Sequence, residues 1–329
     1  VDKAGRPVCI AQAWQYAYAV GALDVSFDAA GQVARCSGKP QVLVGDSFKV
    51  GNVAASVADA GAYRSQLDAS GVFRVTTPSA AATAALAPFK AAKDALSTQV
   101  AGVATDNLCL RRVPGTKRDT SRSSLGDVCN KDATVLAHGG DIQQLVADAF
   151  LEQGQRFGGA DISLQNAGGV RVDIPAGNIT VGKVYTLLPF KNTLYRLQLT
   201  GTQVRAALED GIDSVLNGTG SGAYPYTGGL RFSVDMNQAR GSRISNPEVR
   251  DAGGNWQPLD PAANYRLITN NFTADGGDKY DTLKAIPAAQ REDTFLDYAD
   301  SFLQYVRSRS PLAKPAVAAR STQSYVETP

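Results

Sequence analysis

Asp161-Ile162-Ser163-Leu164-Gln165 runs directly into Asn166-Ala167-Gly168-Gly169-Val170-Arg171. The first five residues read as a strand and the next six as a small-residue turn with an arginine just past it. Glycines at such a turn permit positive φ and let backbone N–H groups approach an anion closely. An arginine there can grip a phosphate through two parallel hydrogen bonds. Taken alone, the stretch reads first as a plain turn, since a Gly-Gly turn with a nearby arginine is common.

Three further segments supply groups suited to other parts of a nucleotide, and all four are expected to end predicted strands. In Leu188-Pro189-Phe190-Lys191-Asn192, proline stiffens the chain before a phenyl ring that can stack on a base, and Asn192 can bond a base edge. In Asn271-Phe272-Thr273-Ala274-Asp275-Gly276-Gly277-Asp278, the Gly-Gly pair presents Asp278, whose carboxylate can accept hydrogen bonds from ribose hydroxyls. Phe272 can supply the second face of a base sandwich. A calcium loop would need alternating acids and a distal glutamate, which this segment lacks. Gly220-Ser221-Gly222-Ala223-Tyr224-Pro225-Tyr226 by itself predicts only a loop beside the next strand. Each phenylalanine, read singly, is also a candidate core residue.

Working outward, Val20–Val25 and the Asp28–Gly31 turn predict a strand-turn-strand near the start, and residues 53–70 can hold a short helix. The alanine-rich stretch Ser79–Val100 predicts a helix capped by Ser79 and kinked or interrupted at Pro88. A strand should follow, then a polar loop from Pro114 to Gly126. Asp141 is expected to cap a helix that turns Ile142, Leu145, Val146, Ala149 and Phe150 inward. Thr200–Leu216 and Phe295–Val306 predict two more helices, the latter with Phe295, Tyr298, Phe302 and Val306 inward. Leu194–Leu199, Leu230–Val234 and Tyr265–Thr269 read as strands, and the last ten or so residues as extended or frayed. Strands and helices mix without strict alternation, so the fold class is α+β with helices packed on mixed sheets.

The chain has 329 residues, enough for two units, and a net charge of +2. That balance argues against coating nucleic acid or a charged membrane surface. No apolar run approaches membrane-spanning length, and no signal peptide opens the sequence, which reads as a removed leader or an internal fragment. The single histidine, His138, lies in Ala137-His138-Gly139-Gly140 and reads as a solvated loop residue. One imidazole is too few for a hydrolytic two-metal centre, and no G-x-S-x-G motif is present. Four cysteines without C-x-x-C spacing suit two disulfides in an oxidising compartment. Pairing within each predicted unit gives Cys9–Cys36 and Cys109–Cys129, the second closing the polar loop.

The four segments, in this order, resemble the C-terminal substrate-binding domain of the 5′-nucleotidase family, which shows N-x-G-G-[IV]-R, then P-F near G-N, then G-x-Y-P, then N-F-x-x-G-G-D. Here these read Asn166–Arg171, Pro189–Asn192, Gly222–Pro225 and Asn271–Asp278, and the resemblance covers most of residues 140–310. Residues 8–50 look like the end of that family's metallophosphatase domain, with Ala11-Gln12-Ala13-Trp14 and Val20-Gly21 following where its last metal-binding histidines would lie. Two features depart from the pattern. A cysteine-bracketed insertion separates Leu110-Arg111-Arg112 from the first helix, and Gly140-Asp141-Ile142 replaces the usual N-M-G.

The resemblance implies residues 1–78 as a strand-rich remnant of an α/β/β/α metallophosphatase domain, 79–100 as a linker helix and 101–329 as the nucleotide-binding domain. It implies Arg171 and Arg112 (or Arg111) on the phosphate, Phe190 and Phe272 on the base, Asn166 and Asp278 on the ribose, and Asn192 and Gly222 lining the base side. It also implies a periplasmic or secreted enzyme that hydrolyses nucleoside phosphomonoesters with two divalent metal ions held outside this chain. The chain is then the specificity half and inactive alone. A non-catalytic nucleotide- or nucleoside-binding module is the alternative.

Overall fold

The structure, a computed structural model, describes residues 1–13, 18–51, 53–119, 123–218 and 220–328. Trp14 lies outside them. The chain divides into two compact units, Val1–Ala91 and Ala92–Pro329, and the division falls inside a helix.

In the first unit β1 (Ala19–Phe27) and β2 (Val33–Gly45) pair antiparallel. The Asp28 carboxylate closes their turn by accepting from the N–H groups of Ala30 and Gln32 at 2.9 and 2.8 Å, as side-chain-capped turns do. After a short β3–β4 pair (Lys49–Val50, Val53–Ala54), α1 (Val57–Ala69) starts at Ser56, whose hydroxyl accepts from the Asp59 N–H. β5 (Phe73–Thr76) then joins β2 in parallel, giving the order β1-β2-β5. Cys9 is bonded to Cys36 on β2. No described residue of this unit is buried. A sheet whose described residues all keep some exposure to solvent has little apolar packing to hold it closed. Hydrogen exchange on the whole chain should therefore release the β1–β2 amides far sooner than those at the centre of the second unit's main sheet. Equal protection of the two would contradict this account.

The helix α2 (Ala80–Ser97) begins at Ser79, whose hydroxyl accepts from the Ala82 N–H, and continues through Pro88 without interruption. A proline removes one backbone bond, and the surrounding alanines, the best helix formers, sustain the rest.

The second unit continues with β6 (Val100–Ala104), α3 (Asp127–Asn130), α4 (Ala133–His138), α5 (Asp141–Arg156), β7 (Ile162–Asn166), β8 (Gly177–Thr180) and α6 (Val181–Leu187). Next come β9 (Thr193–Thr200), α7 (Gly201–Asn217), β10 (Pro225–Gly228), β11 (Leu230–Asp235), β12 (Ile244–Arg250) and β13 (Trp256–Pro258). The chain then forms β14 (Asn264–Asn270), α8 (Asn271–Ala274), α9 (Asp281–Lys284), β15 (Arg291–Asp297), α10 (Tyr298–Arg309) and β16 (Thr322–Val326).

The main sheet has the order β10-β7-β14-β9-β15, with β7 and β14 parallel and the other neighbours antiparallel. Period-two alternation sends its side chains into two cores. Ile162, Leu164, Leu197, Leu199 and Leu267 pack with Val204, Leu208 and Ile212 of α7. Leu194 and Ile268 belong to the other core, with Ile142, Val146 and Phe150 of α5 and Phe302 and Val306 of α10. A second sheet, β13-β12-β11-β16, joins the first core through Phe232, Val234 and Ile244. The α+β expectation holds, with mixed sheets and packed helices.

Several local expectations need correction. Asp141 is the first residue of α5, not its cap. The cap position is Gly140, and the buried Asp141 carboxylate instead accepts from the Cys109 N–H and pairs with Arg320. Phe295 lies on β15, not on the last helix, and is 83% exposed at φ 57°. Asp297 caps α10 by accepting from the Asp300 N–H, which starts the helix after Phe295. The C-terminal residues are not frayed: β16 pairs in parallel with β11. His138 ends α4 half-buried, and its Nδ1 donates to the Thr322 carbonyl at 2.9 Å, so it is not a solvated loop residue.

A candidate nucleotide-binding site

Strand direction brings the four segments together. β7 and β14 run parallel, so Asn166 and Asn270, their last residues, lie at the same end of the sheet. β10 and β9 run antiparallel to them, so their first residues lie at that end too: Pro225 faces Asn166, and Leu194 faces Asn270. Two segments therefore end strands, whereas two precede them. Phe190 follows α6 and Gly222 follows α7, contrary to the expectation that every segment ends a strand. The four loops, together with the loop that carries Arg112, enclose a cavity of about 320 Å³ lined by Arg112, Asn166, Gly168, Gly169, Arg171, Phe190, Asn192, Gly222, Phe272 and Asp278.

Phe190 and Phe272 are each 45% exposed, which removes the reading that makes them core residues. The Phe190 loop is held from below by Tyr298. Its hydroxyl accepts from the Phe190 N–H at 2.9 Å, and its N–H donates to the Asn192 carbonyl at 3.1 Å. Burial pushes the Tyr298 phenol above its ordinary range, so it stays protonated. Beneath the other ring, a Cβ on Gly277 would lie 2.5 Å from the Phe272 Cζ. Only glycine lets the backbone pass there.

Asp278 sits at φ 54°, in the left-handed region that non-glycine residues seldom occupy. Its carboxylate accepts from the Asn166 side-chain amide at 2.7 Å. Asn166 is fixed in turn, because its side-chain oxygen accepts from Asn270 Nδ2 at 3.0 Å and from the Thr273 hydroxyl at 3.3 Å. Asn270 also caps α8 by accepting from the Thr273 N–H. A carboxylate held in a sparsely populated conformation by a buried amide network is the pattern of a pre-organised binding group. Gly168 and Gly222 line the same wall, and a Cβ on Gly168 would lie 3.0 Å from the Gly222 Cα.

Arg112 and Arg171 supply positive charge. The Arg171 guanidinium donates to the Gly168 carbonyl at 2.9 Å and stands over the Phe190 ring, 5.7 Å from its centroid. Burial, then the neighbouring Arg171, hold the Arg112 guanidinium below its ordinary pKa, and its buried Nε has no hydrogen-bond partner among the described residues. Of the two adjacent arginines, one lines the cavity. Arg111 is buried with its guanidinium on the Gly115 carbonyl at 2.6 Å, whereas Arg112 lines the cavity. Sequence placed Tyr298 only on the inward face of the last helix and gave Asn270 no role. Asn270 carried a signal in hindsight, since an asparagine before a predicted helix start is a preferred cap.

The family profile described as "5′-nucleotidase, C-terminal domain" matches residues 116–285, just over half of the chain. The chain belongs to the 5′-nucleotidase family. It is 32% identical to a probable 5′-nucleotidase of Treponema pallidum over 94% of this chain and 51% of that protein. It is 28% identical to an NAD 5′-nucleotidase of Haemophilus influenzae over 92% of this chain and 50% of that protein. The solved structure of a Thermus thermophilus 5′-nucleotidase precursor matches with a TM-score of 0.60 and 29% identity, covering 99% of this chain and 54% of that one. The chain thus spans about half the length of the 5′-nucleotidases it matches.

Two-metal phosphoester chemistry needs clustered imidazole and carboxylate ligands. Among the described residues no group of three or more His, Cys, Asp or Glu side chains could hold a metal ion. The cysteines form the bonds Cys9–Cys36 and Cys109–Cys129, with Cα atoms 6.2 and 5.4 Å apart. The described residues of this chain therefore do not make a two-metal centre. No helix among them is long and apolar enough to cross a membrane.

Proposed function

We propose that residues 101–329 are the nucleotide-binding, specificity-conferring domain of a 5′-nucleotidase that converts nucleoside phosphomonoesters to nucleoside and phosphate. The observation that carries this is one cavity joining two arginines, two accessible aromatic rings and the Asn166–Asp278 pair. Phe190 and Phe272 take the base between them, and Asn192 and Gly222 line the base side. Asn166 and Asp278 hold the ribose, and Arg112 and Arg171 hold the phosphate in the binding conformation. Residues 1–78 are the end of a metallophosphatase domain, and 79–100 form the link to the binding domain. The absence of any buried described residue in the first unit supports a role for it within a larger core. The two divalent metals that activate water belong to that adjoining domain, and this chain by itself is inactive. Its contribution is orientation: binding energy gained on base and ribose is spent in holding the phosphate where it reacts. Two disulfides fit a periplasmic or secreted protein.

Calorimetric titration with adenosine, 5′-AMP and inorganic phosphate tests the reading. Stacking on an aromatic ring contributes about 1–3 kcal/mol per base by alanine substitution. Phe190→Ala or Phe272→Ala should therefore weaken adenosine binding about ten- to a hundredfold, with the melting temperature little changed, because both rings are half exposed. Unchanged affinity with a large loss of stability would remove the stacking assignment.

A further inference from the structure

We infer that Asp173 is the positioning residue of the phosphate grip, coupling the loop that carries Arg112 to the segment that carries Arg171. This rests on the reading of the cavity as a nucleotide site.

The Asp173 side chain is buried, two residues beyond Arg171, and is not among the residues that line the cavity. Its Oδ1 accepts from the Leu110 N–H and the Ser123 hydroxyl, both at 2.7 Å. Its Oδ2 accepts from the N–H and hydroxyl of Ser124 at 2.9 and 2.8 Å. Leu110 stands two residues before Arg112. Ser123 and Ser124 stand near the other end of the same loop, which the Cys109–Cys129 bond closes. One carboxylate thus clasps both ends of the loop. Within it, Asp119 accepts from the Arg112 N–H at 2.7 Å and fixes that residue's backbone.

The need for such a clasp follows from charge. Two guanidinium groups lining one cavity repel each other, and the Asp119 and Asp278 carboxylates near Arg112 offset only part of that repulsion. The Arg112 Nε is buried and has no hydrogen-bond partner among the described residues, so it leaves that side chain without a direct tether of its own. Without a rigid backbone behind it, the Arg112 loop would relax away from Arg171 and the two-sided grip would be lost. Uncharged donors satisfy Asp173, so it restrains the loop without a cation that would compete for the phosphate. The loop has a further attachment independent of Asp173. Leu108 and Ile174 exchange backbone hydrogen bonds at 2.8 and 3.1 Å, which should let a variant at Asp173 fold.

The test is titration of the whole chain with 5′-AMP and with adenosine, for wild type, Asp173→Asn, Arg112→Ala and the double variant. In Asp173→Asn an amide donor would face the Ser124 or Leu110 N–H, so the clasp fails while the side-chain shape is kept. The expected result is a loss of about tenfold or more in 5′-AMP affinity, with adenosine affinity held within about twofold. In the Arg112→Ala background, Asp173→Asn should add less than about twofold, because a residue that acts through Arg112 has nothing left to position. A purely structural role would instead weaken both ligands alike. Equal losses for the two ligands, or full additivity with Arg112→Ala, would overturn the inference. Should Asp173→Asn fail to fold, the Ser123→Ala/Ser124→Ala double variant removes two of the four bonds, and no preferential loss of 5′-AMP there overturns it equally. If the wild-type chain binds adenosine and 5′-AMP with equal affinity, the phosphate grip is wrong and the nucleoside site stands. If it binds neither, the nucleotide reading itself fails.

Discussion

Asp141→Ala should destabilise the second unit by about 3–5 kcal/mol, the range found when one partner of a buried ion pair is removed. Asp141 and Arg320 are 0% and 1% exposed. The Arg320 guanidinium donates to Asp141 and to the Gly139 carbonyl, the latter at 3.0 Å, and the other Asp141 oxygen accepts from the Cys109 N–H. Alanine leaves the guanidinium buried without its counter-charge and the Cys109 N–H without its acceptor. The pair also ties the start of α5 to the segment leading into β16, so the damage should reach both sheets. Urea denaturation followed by circular dichroism measures the effect. Replacing both partners with apolar residues, as in Asp141→Leu/Arg320→Met, should recover part of the loss, because the desolvation cost of the charges disappears with them. A shift below about 1 kcal/mol for Asp141→Ala would mean that water reaches the guanidinium.

Arg171→Ala is expected to give the largest loss of 5′-AMP binding of any change in the cavity. A hydrogen bond to a charged group is worth about 1.5–3 kcal/mol. A guanidinium that makes two of them to a phosphate therefore contributes roughly a hundredfold or more in affinity. Adenosine carries no phosphate and should lose only what Arg171 lends to the Phe190 ring beneath it, within about fivefold for an exposed cation–π contact. Arg171→Lys should restore charge without the planar two-bond geometry, and so only part of the affinity. The 5′-AMP preference should also weaken as salt rises, since the half-open cavity admits screening ions. Equal losses for adenosine and 5′-AMP would place Arg171 on the nucleoside and not on the phosphate.

Much of the binding domain was legible because its elements announce themselves locally. Thr200 and Gln203 form a reciprocal capping box on α7, and Val204, Ala207, Leu208 and Ile212 recur at helical spacing, so that helix follows from sequence alone. Helix α6 was missed. Val181, Gly182, Val184 and Thr186 are poor helix formers, and the helix exists because Val181, Val184 and Leu187 are buried in the core. Phe295 was misplaced for a related reason. Its spacing to Tyr298 and Phe302 suits a helix face, but the Asp297 cap and the irregular β9–β15 pairing decide where the helix starts.

The sequence named residues that line the cavity through the order of its four segments, a pattern that resembles a family's, although each segment alone read as a plain turn or a core residue. It also determined the local disulfide pairing, through short loop closure. Only the tertiary structure decided that the four segments meet, since parallel pairing of β7 with β14 joins strands far apart in the chain. Tertiary packing likewise decided which of two adjacent arginines faces the cavity: Arg111 is drawn to the Gly115 carbonyl of its own loop, which leaves Arg112 beside Arg171. The supports behind the site, Tyr298, Asn270 and Asp173, are ordinary residues in sequence. Each is defined by a hydrogen-bond partner that some other element supplies, and such partners come within reach only once the sheet has set the register of its strands.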